Sequence, residues 1–208
     1  MRTLLLPVKD FREAKQRLTA RLTPSQRAGL ARAMLRDVLS AISRAKLPDR
    51  VVVFTASDQV AEVARPYNFD IIEEVSVRGH SAAVNQMVQE LSSNASQILS
   101  LAADLPLLEP NDVDCMFEVS GADINLVASL DGTGTNAVLF ALPATMEMQY
   151  GADSLKRHLS AARAAGLQAQ VLSISGIEFD VDTPEDLALF RQRGSERSHA
   201  WRYVSAIA

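Results

Sequence analysis

The 208-residue sequence has little cysteine, few aromatic residues and no long hydrophobic run. Cys115 is the only cysteine, so the chain can form neither an intrachain disulfide nor a cysteine zinc cluster, which is typical of proteins in a reducing cytoplasm. The apolar run at residues 3–8 is too short for a signal-peptide core or a membrane span. We therefore expect a cytoplasmic protein with no membrane segment.

The sequence also has no excess of positive charge. It contains 21 Lys and Arg against 25 Asp and Glu, which gives a net charge of −4. Nucleic-acid binding needs a concentrated basic surface, so a polymer partner is not expected. The chain contains no glycine-rich phosphate loop of the Walker or Rossmann type, and its three histidines show no metal-ligand or catalytic-triad spacing.

What the sequence does have is a regular alternation of strand-length apolar runs and helical periodicity. The alternation predicts one α/β domain, a three-layer sandwich with a mostly parallel sheet that becomes mixed near the middle. We assign the domain to residues 1–193 and a C-terminal tail to 194–208, whose Trp201 and Tyr203 either dock on a partner, as in a homodimer, or fray. The predicted strands are 3–8, 51–54, 69–72, 97–102, 124–129, 137–142, 169–174 and 177–181, and the predicted helices are 23–42, 58–64, 81–91, 111–119, 154–165 and 184–192.

The segment after the first strand, residues 9–18, is rich in basic side chains. It includes Lys9, Lys15 and Arg17 and lacks the apolar periodicity of a core helix. In α/β sheets, ligands collect at the carboxyl ends of the strands, and a triphosphate needs Lys or Arg nearby. The segment therefore predicts a triphosphate site, and the alternative is a solvated charged loop.

Three aspartates are candidates for a metal site. Asp104 directly follows a buried strand, and Asp180 and Asp182 are two residues apart, so in an extended segment both carboxylates share a face. Together they would make an all-oxygen site suited to Mg²⁺. The alternative for Asp104 is a turn aspartate that bonds its own backbone. Thr183 and Asp186 are explained by helix capping and carry no functional argument.

Two further segments are candidates for anion binding. Residues 131–136 are rich in glycine and threonine, which lets backbone N–H groups approach an anion, although a hairpin turn would look the same. In residues 150–154, Gly151 and Ser154 precede a helix and could place a phosphate or carboxylate at its N-terminus. The alternative there is a plain helix cap. His158 lies one turn beyond Ser154 and either faces the same pocket or is structural.

Taken in order, these segments resemble one family, the 2-phospholactate/phosphoenolpyruvate guanylyltransferases of coenzyme F420 biosynthesis. The resemblance covers about residues 2–193. It rests on these strings: PVK (7–9), AKQRL (14–18), ADLPL (103–107), GTNA (134–137), YGADS (150–154) followed by His158, and DVDTPEDL (180–187).

The resemblance implies a GT-A-like, Rossmann-related nucleotidyltransferase fold and a Mg²⁺-dependent reaction. GTP would condense with 2-phospho-L-lactate, phosphoenolpyruvate or 3-phospho-D-glycerate and release pyrophosphate, and of these acids we favour the latter two. The metal would be held by Asp104, Asp180 and Asp182, and the acid would contact Gly151, Ser154 and Thr135 or Asn136. The triphosphate would be received by the catalytic cluster of Lys9, Lys15 and Arg17.

The sequence departs from the family pattern at a few positions. Tyr150 and Leu155 stand where phenylalanines are common, which bears on which phospho-acid fits the site. His80-Ser81 stand where Leu-Asn is common, which bears on recognition of the nucleotide base. Alternatives remain open at this point. They are a transferase of the cytidylyl or molybdopterin type, an inactive nucleotide-binding regulatory module, and a glycosyltransferase of similar fold.

Overall fold

Seven strands form one sheet in the computed structural model, which describes residues 1–73 and 79–207. The strands are β1 (Arg2–Pro7), β2 (Arg50–Thr55), β3 (Asp70–Glu73), β4 (Gln97–Leu101), β5 (Ile124–Ala128), β6 (Thr135–Ala141) and β7 (Ala169–Leu172). The α-helices are α1 (Pro24–Ile42), α2 (Asp58–Ala64), α3 (His80–Leu91), α4 (Pro110–Glu118), α5 (Ser154–Ala164), α6 (Ser175–Glu178), α7 (Pro184–Arg193) and α8 (His199–Ala206).

The strand order is β3-β2-β1-β4-β6-β5-β7, and within the described residues β6 alone runs against the others. The predicted mixed, mostly parallel sheet is therefore confirmed. Because of this pairing, the carboxyl ends of β1, β4 and β5 and the first residues of β6 meet at one edge of the sheet. The loops that leave this edge carry most of the predicted functional residues.

Helices cover both faces of the sheet because the central strands are apolar on both sides. In β1, Leu4 and Leu6 pack with α1, α2 and α4, whereas Leu5 faces α3 and α5. All three leucines are fully buried, and each such side chain stabilises the fold by about 1.5–3 kcal/mol. The three-layer architecture follows from this double-sided burial.

The helix starts predicted by capping residues are confirmed. Thr23 and Gln26 form a reciprocal capping box at the start of α1, and Thr183 and Asp186 do the same at the start of α7. Both caps satisfy backbone N–H groups that have no partner within their helices. In the part of the chain that is described, no helix is long and apolar enough to cross a membrane.

The predicted strand at 177–181 is wrong. Its first residues belong to the short helix α6, and the segment after it is extended but joins no strand. The Asn136 side chain donates to the carbonyls of Ile177 and Glu178, so side-chain hydrogen bonds replace a strand ladder. The alternation of buried and partly exposed residues along this segment is still present, because Phe179 and Val181 are buried in the core between α1 and α7.

The tail that was expected to dock on a partner or fray forms helix α8 and packs on α1 of its own chain. Asp37 of α1 accepts hydrogen bonds from the first residues of α8, and Ala200 and Val204 are buried. A Cβ atom at Gly29 would overlap Tyr203, and one at Gly194 would overlap Trp201. Both aromatic side chains therefore pack within the chain, and the homodimer stays a prediction. Residue 208 lies outside the described residues.

Candidate active site

A cavity of about 580 Å³ opens at the sheet edge where β1, β4 and β5 end. Its size is within the range of pockets that bind small molecules. The structure places every predicted site residue in its wall. These residues are Lys9, Lys15, Arg17, Asp104, Thr135, Asn136, Gly151, Ser154, Asp180 and Asp182.

The basic segment after β1 is an ordered loop whose central residue, Lys15, is buried. Two short 3₁₀ helices anchor it through the buried side chains of Phe11 and Leu18. Between them Lys15 has a φ of 55°, a left-handed conformation that is uncommon outside glycine. Lys15 is buried, and its Nζ donates to Asp104 at 2.5 Å and to Asp182 at 2.7 Å. The loop therefore brings one ammonium group between two carboxylates that are far apart in sequence.

The other basic residues of the loop differ in their surroundings. Lys9 and Arg17 are exposed and line the cavity, as a site for a triphosphate requires. Arg12 instead forms an ion pair with Asp10 at 2.8 Å and does not line the cavity. Burial of Lys15 argues against a solvated loop at that residue, and the triphosphate role of Lys9 and Arg17 stays a prediction.

The carboxylates around Lys15 have opposite pKa shifts. Burial and the nearby charges of Asp104 and Asp182 raise the pKa of Asp180 to about 6. For Asp182, burial acts in the same direction, but the charge and hydrogen bond of Lys15 outweigh it and the pKa is lowered. Burial alone would lower the pKa of Lys15, yet the two carboxylates raise it, so the ammonium stays charged. At neutral pH the cluster carries more negative than positive charge.

The shift at Asp180 predicts a pH dependence of stability in the protein without divalent cations. Because the folded-state pKa, about 6, lies above the unfolded value of 3.8, the folded chain binds the proton more tightly. This contribution to the free energy of unfolding is therefore present below pH 4 and lost as the pH rises through 6, with a size of about 3 kcal/mol. Urea melts of the unaltered chain and of Asp180→Asn between pH 4.5 and 7.5 measure it. As the pH rises, the free energy of unfolding of Asp180→Asn should increase relative to that of the unaltered chain. A difference that does not change with pH would contradict the raised pKa of Asp180.

The donor set of the cavity fits a divalent cation bound together with a phosphate ligand. Among the described residues, six carboxylates and three basic side chains line the wall, so a polyanion would enter a negatively charged space unless cations accompany it. Within residues 1–73 and 79–207, no three Asp, Glu, His or Cys side chains are grouped as ready ligands of one ion. Lys15 lies between Asp104 and Asp182, so the predicted three-aspartate cage is not preassembled. A magnesium-like ion usually takes only one or two carboxylates and completes its shell with phosphate and water.

The part of the cavity wall around Ser154 offers hydrogen-bond donors. His158 is fully buried, and burial together with the charge of Arg157 lowers its pKa to about 4, so its ring is neutral. Its Nε2 accepts the Gln149 N–H at 2.9 Å, which leaves the ring proton on Nδ1, 3.0 Å from Thr135 Oγ1. Ser154 Oγ lies 3.2 Å from the same oxygen. Only one of the two hydroxyl hydrogens is used between Thr135 and Ser154, so the other is available to a ligand.

The departures at 80–81 and 150 from the family pattern contact one another. Tyr150 N–H donates to Ser81 Oγ at 2.9 Å, and the Tyr150 ring lies 4.7 Å from the ring of His80. The Tyr150 hydroxyl hydrogen-bonds Ser100 Oγ at 3.1 Å on buried β4, and its burial raises its pKa to about 12. The hydroxyl that distinguishes Tyr150 from phenylalanine is therefore satisfied within the core. His80 lines the cavity, and burial and Lys9 lower its pKa to about 4.

The glycine- and threonine-rich segment at 131–136 completes the β5–β6 connection and begins β6, as its hairpin interpretation had it, and it also lines the cavity. Asp131 accepts hydrogen bonds from Ser129 Oγ and from the N–H of Thr133. Asn136 is buried and supports the acidic segment, because its amide also donates to Asp180 at 3.3 Å. The start of β6 therefore contacts both the acidic segment, through Asn136, and Ser154, through Thr135.

Sequence reasoning missed one residue next to this wall. Arg157, on α5, donates from Nη2 to the carbonyl of Tyr150 at 3.0 Å. Nothing in the sequence separates it from the neighbouring Lys156, which is exposed. Only the tertiary structure identifies Arg157, because the folded loop at 150–154 brings the Tyr150 carbonyl to its guanidinium.

Comparison with known proteins gives relatives of matching length. A protein of Rubrobacter xylanophilus named phosphoenolpyruvate guanylyltransferase is 38% identical over 197 residues, which cover 91% of this chain and 93% of that protein. A protein of Methanothermobacter thermautotrophicus named 2-phospho-L-lactate guanylyltransferase is 34% identical over 204 residues, which cover 98% of this chain and 89% of that protein.

Solved structures share the fold at low sequence identity. A crystal structure from Desulfovibrio desulfuricans G20, assigned to the nucleotide-diphospho-sugar transferases, has a TM-score of 0.78 at 17% identity and covers 99% of this chain and 94% of that one. A cytidylyltransferase from Leptospira borgpetersenii has a TM-score of 0.60 at 13% identity, with coverage of 99% and 93%. The fold is that of the nucleotidyltransferases, as the sequence predicted.

A family model described as guanylyl transferase CofC-like matches residues 1–208, the whole chain. The relatives above agree with this match in name and in length. The chain is a nucleotidyltransferase and belongs to the guanylyl transferase CofC-like family.

Proposed function

We propose that the chain transfers GMP from GTP to a small phosphorylated acid, with Mg²⁺, in coenzyme F420 biosynthesis. The named activities of its relatives support GTP as the donor and phosphoenolpyruvate or 2-phospho-L-lactate as the acid. 3-Phospho-D-glycerate remains a third candidate. The observation that carries the proposal is that a cationic loop, an acidic cluster and the donors around Ser154 line the same cavity.

The reaction would be an in-line displacement at the α-phosphorus of GTP. A phosphate oxygen of the acid forms the new bond to phosphorus, the bond to the β-phosphate oxygen breaks, and pyrophosphate leaves. The attacking oxygen is already anionic near neutral pH, so no general base is required. This agrees with the neutral, hydrogen-bonded state of His158 and with the low pKa of His80.

The protein residues would act by positioning and by charge. Lys9 and Arg17, which are exposed and line the cavity, would bind the triphosphate, and Thr135 and Ser154, which also line it, would bind the acid. Bound Mg²⁺, held by the carboxylates of Asp104 and Asp182 with help from Asp180, would supply charge neutralisation at the phosphates. Lys15 contacts both ligand carboxylates and would hold them near each other until the substrates bind. Positioning and electrostatic stabilisation of this kind can supply several kcal/mol of barrier lowering.

The test is an assay of pyrophosphate release with Mg²⁺, each of the four nucleoside triphosphates and each of the three acids. We expect release with GTP and at least one acid, and a product whose mass equals that of the acid joined to GMP. Release with CTP in place of GTP would point to a cytidylyl-type transferase. Nucleotide binding without pyrophosphate release, for every acid, would indicate an inactive module and contradict the proposal.

A further inference from the structure

We propose that Arg157 is a positioning residue for the acid substrate, because it turns the Tyr150–Gly151 peptide so that the Gly151 N–H points into the cavity. The proposal rests on the proposed function, since it takes a phosphorylated acid as the ligand of this wall. Arg157 itself does not line the cavity, so its effect would be indirect.

The direction of the peptide follows from its planarity. Arg157 Nη2 donates to the Tyr150 carbonyl oxygen at 3.0 Å, so this carbonyl points toward α5. Among the described residues the cis peptide bond is Leu142–Pro143, so the Tyr150–Gly151 bond is trans. In a trans peptide the C=O and the N–H point in opposite directions. With the carbonyl held by a residue outside the cavity, the N–H of Gly151 faces the cavity that Tyr150 and Gly151 line.

This N–H is available to a ligand. Within the described part of the chain, no backbone or side-chain acceptor takes a hydrogen bond from the Gly151 N–H. The residue has a φ of 110°, which side chains other than that of glycine rarely allow, and a Cβ atom there would lie 3.2 Å from Arg157 Nη2. Glycine thus permits both the turned peptide and the close approach of the guanidinium behind it.

The charge of Arg157 acts in the same direction as its hydrogen bond. Its Nε is buried without a partner, and no carboxylate forms an ion pair with it among residues 1–73 and 79–207. A positive charge without a counter-ion, directly behind a peptide N–H, favours an anion in front of that N–H. The phosphate or carboxylate of the acid is such an anion, whereas the proposed ligands of the triphosphate are Lys9 and Arg17.

The test is the steady-state kinetics of Arg157→Met, which removes the donor and the charge at similar length. We expect the KM for phosphoenolpyruvate to rise about tenfold or more, as for the loss of a charge-assisted hydrogen bond. The KM for GTP should change by less than about twofold, because the substitution weakens binding of the acid and leaves the contacts of GTP unchanged. Arg157→Lys, which keeps the charge and one donor, should recover part of the loss. Arg163→Met, an exposed arginine of the same helix, is the control and should change neither constant.

The outcomes separate this proposal from the proposed function. An active Arg157→Met enzyme with an unchanged KM for phosphoenolpyruvate, or with equal rises for both substrates, would overturn the positioning role alone. If Arg157→Met does not fold, Arg157→Gln is measured in its place, with the same expectation. If the unaltered chain releases no pyrophosphate, the proposed function fails. The role of Arg157 is then tested by measuring the melting temperature of the unaltered chain and of the variant with and without phosphoenolpyruvate. Stabilisation of the unaltered chain that is lost in the variant supports the role, and equal or absent stabilisation overturns it.

Discussion

Replacing Asp182 with asparagine is expected to lower the rate of pyrophosphate release by about a thousandfold or more, as for the loss of a main electrostatic group in an active site. The carboxylate lies in the cavity wall and pairs with Lys15 at 2.7 Å. Asparagine has the same shape but cannot supply the negative charge that a bound divalent cation needs. Asp104→Asn should have the same effect, because Asp104 accepts the other hydrogen bond of Lys15.

Both variants should remain folded, and this separates a chemical role from a structural one. The cluster carries an excess of negative charge, as the raised pKa of Asp180 indicates, so removal of one carboxylate relieves repulsion while Lys15 keeps the other partner. The measurements are pyrophosphate release and thermal unfolding at pH 7. Asp153→Asn is the matched control: Asp153 is exposed, has a φ of 53° that asparagine tolerates, and should keep its activity. Near-full activity of Asp182→Asn with Mg²⁺ would show that the metal assignment is wrong.

The sequence predicted the parts of the fold that depend on local patterns. Apolar runs such as that of β1 and caps such as Thr23 specify elements through neighbouring residues, and these predictions are confirmed. The position of Asp104 after β4 followed from the rule that chemistry gathers at the carboxyl ends of strands. The same rule brought Lys9 to the cavity wall, although the role of each of these residues stays a prediction.

The parts that the sequence did not predict depend on contacts between distant residues. Residues 177–181 have a strand-like pattern, but the Asn136 side-chain amide donates to the carbonyls of Ile177 and Glu178, which in a strand would accept from a neighbouring strand. Helix α8 has a local cap, Ser198, but its first N–H groups also donate to Asp37, which is 162 positions from His199. The ammonium of Lys15 between Asp104 and Asp182 likewise joins positions 89 and 167 residues apart. Propensity and periodicity describe only near neighbours, so none of these contacts could be read in advance.

Replacing Lys15 with methionine is the change expected to damage both activity and stability. Lys15 is the buried cation between Asp104 and Asp182, whose side chains are 33% and 41% exposed. Loss of a buried partner costs about 3–5 kcal/mol, and solvent screening of these part-exposed carboxylates reduces the expected loss to about 2 kcal/mol. Because no ammonium then holds the carboxylates of Asp104 and Asp182 in place for the substrates, we also expect pyrophosphate release to fall by about a hundredfold or more.

A divalent cation should restore the stability of Lys15→Met but not its activity. With the ammonium removed, Asp104, Asp180 and Asp182 attract a cation more strongly, so millimolar Mg²⁺ should raise the melting temperature of the variant more than that of the unaltered chain. Lys9→Met is the control for stability, because Lys9 is exposed and its loss should leave the melting temperature unchanged. Equal responses of the variant and the unaltered chain to Mg²⁺ would mean that the acidic cluster does not bind the ion. A Lys15→Met protein as stable as the original without Mg²⁺ would contradict the ion pairs themselves.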